Sequence, residues 1–105
     1  MATTAPRREY VIERLRPSEA QIRSLGVRRL ALFGSVARGE ARPDSDVDLL
    51  VEFVPGQKSF DRFLALSELL EHLLERPVEL VTTEALSPFI GPHILAEAAD
   101  VLRAA

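Results

Sequence analysis

Apolar and polar positions change rhythm several times along the 105 residues. Residues 27–33, Val-Arg-Arg-Leu-Ala-Leu-Phe, form a short apolar run that leads into Gly34-Ser35 and predicts a first strand. Residues 46–54, Asp-Val-Asp-Leu-Leu-Val-Glu-Phe-Val, predict a second, broken by Pro55-Gly56. Side chains alternate faces along a strand, so Val47, Leu49, Val51 and Phe53 make one apolar face while Asp46 and Asp48 point together to the other. Then the period lengthens. Phe60, Phe63, Leu64, Leu66, Leu69, Leu70, Leu73 and Leu74 recur at helical spacing between a Ser59 cap and about Arg76, with Asp61, Arg62, Glu68, Glu71 and Glu75 opposite. The phenylalanines of that stripe are read as core. Pro77 stops the helix, and Val78–Thr82 predicts a third strand. A last helix follows, with Pro92 in its first turn and Ile94, Leu95, Ala98, Val101 and Leu102 as its apolar stripe.

The N-terminal stretch is less regular. Residues 1–9 carry no large apolar residue after Met1 and read as a tail. Tyr10, Val11, Ile12 and Leu15 predict a short helix ended by Pro17. Ser18-Glu19-Ala20-Gln21 has the form of a capping box, opening a helix that turns Ile22 and Leu25 inward and stops at Gly26. The resulting order, α-β-α-β-α-β-α, predicts an α/β (α+β) domain: a small mixed sheet of at least three strands with helices packed on one side. The face bearing Asp46 and Asp48 is expected to stay open. Residues 1–17 are assigned to a tail and short helix, and residues 18–105 to the domain proper.

Composition narrows the function classes. A net charge of -3 argues against a protein whose main task is to coat nucleic acid, so direct nucleic-acid binding is not expected. The absence of cysteine excludes disulfides, thiol catalysis and cysteine zinc sites. No apolar run approaches bilayer length and no secretory leader is visible, so the expected location is the cytoplasm, without membrane contact. His72 and His93 stand alone and are not read as ligands.

The chemistry concentrates between residues 33 and 54. Gly34 lets the backbone turn close to a ligand. Ser35 and the amides after it offer a hydroxyl and N–H donors suited to phosphate oxygens. Ten residues further on, Asp46 and Asp48 sit with Cα atoms about 6.5 to 7 Å apart, where their charges repel unless a cation lies between them. Mg²⁺ takes oxygen ligands and keeps positions open for phosphates. A phosphate cradle beside a carboxylate pair is the layout that phosphoryl or nucleotidyl transfer needs.

Those residues carry a family resemblance. Gly34-Ser35 followed by Asp46-x-Asp48 resembles the signature of the DNA polymerase beta-like nucleotidyltransferase superfamily. Phe33-Gly34-Ser35-Val36-Ala37-Arg38-Gly39 and Ser45-Asp46-Val47-Asp48-Leu49-Leu50-Val51 are similar to its minimal nucleotidyltransferases. Val78-Glu79-Leu80-Val81, Ala85-Leu86 and Ile94-Leu95-x-Glu97-Ala98 extend the similarity over roughly residues 18–102. The resemblance implies a nucleotidyltransferase palm fold. It implies metal-binding, catalytic Asp46 and Asp48, with Glu79 as third carboxylate where many members have Asp, completing the site either as a further metal ligand or by drawing the proton from the attacking hydroxyl. It implies a nucleotide site at Gly34, Ser35 and Arg38, with ATP as substrate and Mg²⁺ as cofactor. Arg38 could equally pair with Asp44 or Glu40. Ser45 is expected to shape the turn presenting Asp46.

So short a domain offers nothing to clamp an acceptor, which calls for a partner or a second copy. Minimal nucleotidyltransferases pair with HEPN-domain toxins, so the resemblance implies an antitoxin that transfers AMP to a toxin hydroxyl, most simply a tyrosine. Two alternatives stand beside it: an antitoxin that inhibits by contact alone, and a transferase for a small molecule, as in antibiotic-modifying relatives.

Overall fold

The structure, a computed structural model, describes residues 5–103. The part of the expected tail at residues 1–4, and residues 104–105, lie outside the described residues. In chain order the elements are α1 (Arg8–Leu15), a 3-10 turn (Arg16–Ser18), α2 (Glu19–Arg23), β1 (Val27–Phe33), α3 (Gly34–Arg38), β2 (Val47–Phe53), α4 (Phe60–Leu74), β3 (Val78–Thr82), a 3-10 turn (Thr83–Ala85), α5 (Gly91–Glu97) and β4 (Ala99–Leu102). Among the described residues one sheet forms, in the order β3-β2-β1-β4. β1 pairs antiparallel with β2 and β4, and β2 pairs parallel with β3 across α4. This is the expected α+β architecture with a mixed sheet.

The strand alternation sorts the core. Val47, Leu49, Val51 and Phe53 are buried with Leu30 and Leu32 of β1 under α1, α2 and α4, whose Val11, Leu15, Ile22, Leu66, Leu70 and Leu74 close over them. Ser59 caps α4 as expected, its hydroxyl accepting the Arg62 amide at 3.1 Å. The helix ends at Leu74, two residues early, because Glu75 takes a left-handed conformation (φ 54°) ahead of Pro77.

Four local expectations are corrected. The residues after Glu97 leave the helix and form β4 on the free edge of β1, where Leu102 pairs with Leu30 and both Val101 and Leu102 are buried. The Ser18 capping box does not form: the 3-10 turn runs on from α1, leaving Ser18 without the extended backbone an N-cap needs, and its side chain makes no capping bond. Helix α1 starts at Arg8 rather than Tyr10, and the Arg8 guanidinium donates to the Ala37 carbonyl at 2.5 Å. Phe60 is 76% exposed rather than core, since it stands at the first position of α4, beyond the sheet.

The second face of the sheet is not wholly open either. Ala31, Phe33 and Leu50 form a small buried cluster there, packed against Val81, Leu86, Ile94 and Ala98. The segment from Leu86 through α5 therefore covers one half of that face. The other half carries the acidic residues. No helix among the described residues is long and apolar enough to cross a membrane.

Candidate active site

Register places the acidic residues. Phe33 pairs with Asp48, and Asp48 pairs with Glu79, so one row crosses β1, β2 and β3. Directly paired residues project to the same side of a sheet. Asp48 and Glu79 thus stand next to each other on the half that α5 leaves uncovered, with Asp46 just ahead of β2 on the same side. Asp46 and Glu79 are exposed and Asp48 is half-buried.

Gly34 follows Phe33 directly and brings the chain back over this row. Its φ of +75° is a left-handed conformation, and a Cβ built there would overlap Oδ2 of Asp48 and lie 2.8 Å from its Cγ. Only glycine can make that approach without strain. The one-turn helix α3 runs to Arg38, where Gly39 ends it at φ 74° and Glu40 donates its amide to the Ser35 carbonyl at 2.8 Å. Ser35 is half-buried at the start of the turn. Ser45 shapes the approach to Asp46, its hydroxyl accepting the Arg42 amide at 2.7 Å.

The electrostatics follow from that crowding. Burial, then Glu79 and Asp46, push the Asp48 carboxyl up to about 6, against a smaller opposing pull from Arg38. A divalent cation would reverse the sign of this repulsion. Among the described residues no three Asp, Glu or His side chains converge closely enough to enclose a metal by themselves. Hard oxygen donors with open positions still suit Mg²⁺, which is commonly held by one or two carboxylates together with substrate phosphates.

Of the residues singled out in the sequence, Gly34, Ser35, Asp46, Asp48 and Glu79 are brought to one end of one sheet face. Arg38 is at the far end of the α3 turn, engaged with carboxylates. Its Nε donates to Glu40 at 2.6 Å, and its Nη1 donates to Glu97 Oε1 at 3.3 Å and Oε2 at 3.1 Å. Hydrogen bonds to Glu40 and Glu97 raise its pKa further. Glu97 belongs to one of the stretches that carry the family resemblance, but the sequence assigns it no place in the site. It reaches the site from the last turn of α5, where Oε1 accepts the Gly34 amide at 3.0 Å. That bond, with Arg38 close by, holds the Glu97 carboxyl below its usual range. A contact 63 residues away leaves no periodic trace; the available signal was a carboxylate beside Ile94 and Ala98, on the apolar side of its helix. A cleft of about 290 Å³ behind the α3 turn, walled by Pro6, Arg8, Val36 and Arg38, includes none of the acidic row.

This geometry can be set beside known proteins. Residues 12–100 match the family described as nucleotidyltransferase domain. The protein adenylyltransferase MntA of Thermococcus cleftensis is 46% identical over 74 residues, which cover 69% of this chain and 72% of that protein. A Methanocaldococcus jannaschii protein assigned as a protein adenylyltransferase is 42% identical over 77 residues, 73% of this chain and 82% of its own length. A solved structure assigned to the minimal nucleotidyltransferases superposes with a TM-score of 0.69 at 40% identity, covering 84% of this chain and 93% of that one. A toxin–antitoxin crystal structure with AMP-PNP shares the fold at a TM-score of 0.63 and 21% identity, covering 81% and 73% of the two chains.

Proposed function

The chain belongs to the nucleotidyltransferase domain family, and we propose that it is an antitoxin that transfers AMP from ATP to a hydroxyl of a HEPN-domain toxin. The observation that carries this reading is the approach of Gly34 to Asp48, too close for any Cβ, which packs the turn read as the phosphate cradle directly against the acidic row. The relatives named as protein adenylyltransferases support a protein acceptor, and the toxin–antitoxin crystal structure sharing the fold supports the kind of partner.

In this reading the Gly34–Ser35 turn receives the triphosphate, and Asp46 and Asp48 would hold Mg²⁺ beside it. Bound there, Mg²⁺ would supply positive charge that offsets the charge of the phosphates. The toxin hydroxyl, a tyrosine in the simplest case, attacks the α-phosphorus. The new O–P bond forms as the bond from that phosphorus to the β-phosphate bridging oxygen breaks, giving the AMP ester and pyrophosphate. Glu79, exposed and beside Asp48, takes the hydroxyl proton. Gly34 keeps turn and carboxylate close enough to share one ligand. The attached AMP silences the toxin by placing charge and bulk where an RNA backbone must bind.

The test is to incubate the protein with the HEPN protein encoded beside it, ATP and Mg²⁺, and to weigh that partner by intact mass spectrometry. One or more AMP increments are expected. They should be absent with Asp46→Asn/Asp48→Asn and accumulate about 10²- to 10⁴-fold more slowly with Glu79→Gln, the range for losing a general base. No mass change, with the RNase still inhibited in a complex that the double variant forms equally well, would make this a contact-only antitoxin.

A further inference from the structure

We propose that Glu97 is a positioning residue for the nucleotide site: its carboxylate clamps both ends of the α3 turn and so fixes the spacing between that turn and Asp48. The inference rests on reading that turn as the triphosphate-binding element.

Three observations carry it. One carboxylate holds both ends of the turn, accepting the Gly34 amide at 3.0 Å and the Arg38 guanidinium at 3.1 and 3.3 Å. The turn also has little freedom to be misplaced. Gly34 sits at φ +75° with its Cα against the Asp48 carboxylate, and glycine is the residue with most to gain in entropy from leaving such a conformation. The clamp is itself anchored, since two residues after Glu97 the chain enters β4 and Ala99 pairs with Leu32 of β1. Glu97 thereby ties the turn to the sheet edge opposite β3.

The placement has an electrostatic cost, which argues against an incidental contact. Glu97 adds a negative charge near Asp48, where Glu79 and Asp46 already repel. A surface pairing partner for Arg38 exists without it, because Glu40 bonds the Arg38 Nε at 2.6 Å. What Glu40 does not do is reach the Gly34 amide. In this arrangement Arg38 acts through the turn rather than as a phosphate ligand, and Glu97 supplies the connection.

The experiment measures binding of a non-hydrolysable ATP analogue with Mg²⁺ to the full chain by calorimetry, together with the Gly34 amide resonance by NMR. Glu97→Ala should weaken binding by about five- to thirty-fold, the scale of one or two charge-assisted hydrogen bonds, and move the Gly34 amide proton upfield. Glu97→Gln keeps an acceptor for Gly34 and loses the charge facing Arg38. It should retain the Gly34 resonance and weaken binding by a smaller factor, an ordering that a loss of bulk packing would not produce. If Glu97→Ala fails to fold, Glu97→Gln decides alone: at least two-fold weaker binding supports the clamp. Unchanged or tighter binding in the folded variants overturns it, tighter binding meaning that Glu97 competes with phosphate for the same donors. A wild-type protein that binds no analogue overturns the nucleotide reading of the turn and the clamp with it, whereas wild-type binding with unmoved variants overturns the clamp alone.

Discussion

Two neighbouring rows on one sheet face share a backbone geometry and differ in everything else. Ala31, Leu50 and Val81 stand side by side across β1, β2 and β3, and Leu86, Ile94 and Ala98 close over them. Two residues along each strand, Phe33, Asp48 and Glu79 stand in the same relation; Phe33 is still buried with the first row, and the cover stops short of the two carboxylates. The first row is a small hydrophobic core, driven by removal of apolar surface from water. The second keeps a half-buried Asp48 beside an exposed Glu79, a repulsion the fold tolerates and a cation would relieve. The acidic site is thus placed by where α5 ends as much as by the strand that carries Asp48.

The sharpest way to break this contrast is to move a charge from one row to the other. Leu50 is 2% exposed, so Leu50→Asp would bury a carboxylate with no partner. The expected loss is about 3 to 5 kcal/mol, lowering the melting temperature by more than about 12 °C in a domain of this size. A variant that melts within a few degrees of wild type would mean that the cover over Leu50 opens easily and the two rows are alike.

A smaller effect of opposite sign is expected one row over. The Asp48 carboxyl stands at about 6 in the folded protein against an ordinary 3.8. A carboxyl raised on folding contributes its stability in full only well below its ordinary 3.8, where it is protonated in both states, and that contribution is lost as pH rises from there through about 6. Asp48→Asn, which stays neutral, should therefore match wild type at about pH 3, below the unfolded-state titration. Without nucleotide it should exceed wild type above pH 6 by on the order of 1 kcal/mol, modest because the group is part-exposed and screened. Thermal melts across that range check it. Equal pH dependence in the two proteins would show that the acidic row carries no strain.

The two rows also differ in how far they could be read in the sequence. Alternation along 46–54 separated Val47, Leu49, Val51 and Phe53 from the aspartates, and the structure buries all four. The long helix, its Ser59 cap and the third strand were legible for the same reason: each repeats a local period over enough residues to stand out. The cover over Leu50 was not. It depends on Ile94 and Ala98 folding back from far along the chain, and the stripe through Val101 and Leu102 fitted a longer helix equally well until the free edge of β1 was there to pair with β4. Glu97 stood in the family pattern, but its place in the site was not legible for a related cause, since its partners Gly34 and Arg38 are set by tertiary placement. The Gly34-Ser35 and Asp46-x-Asp48 pattern was visible, but the contact that joins its halves, Gly34 on Asp48, exists only in the fold.

The central claim is that the acidic row is a metal-assisted nucleotide site rather than a solvated strand end. Calorimetric titration of the full chain with ATP, with and without Mg²⁺, tests it most directly, comparing wild type with Asp46→Asn/Asp48→Asn. The account predicts that Mg²⁺ and ATP each strengthen binding of the other in wild type, because the phosphates complete the metal's coordination sphere, and that this coupling disappears in the double variant while its fold stays intact. A double variant that binds ATP with Mg²⁺ as tightly as wild type would contradict it.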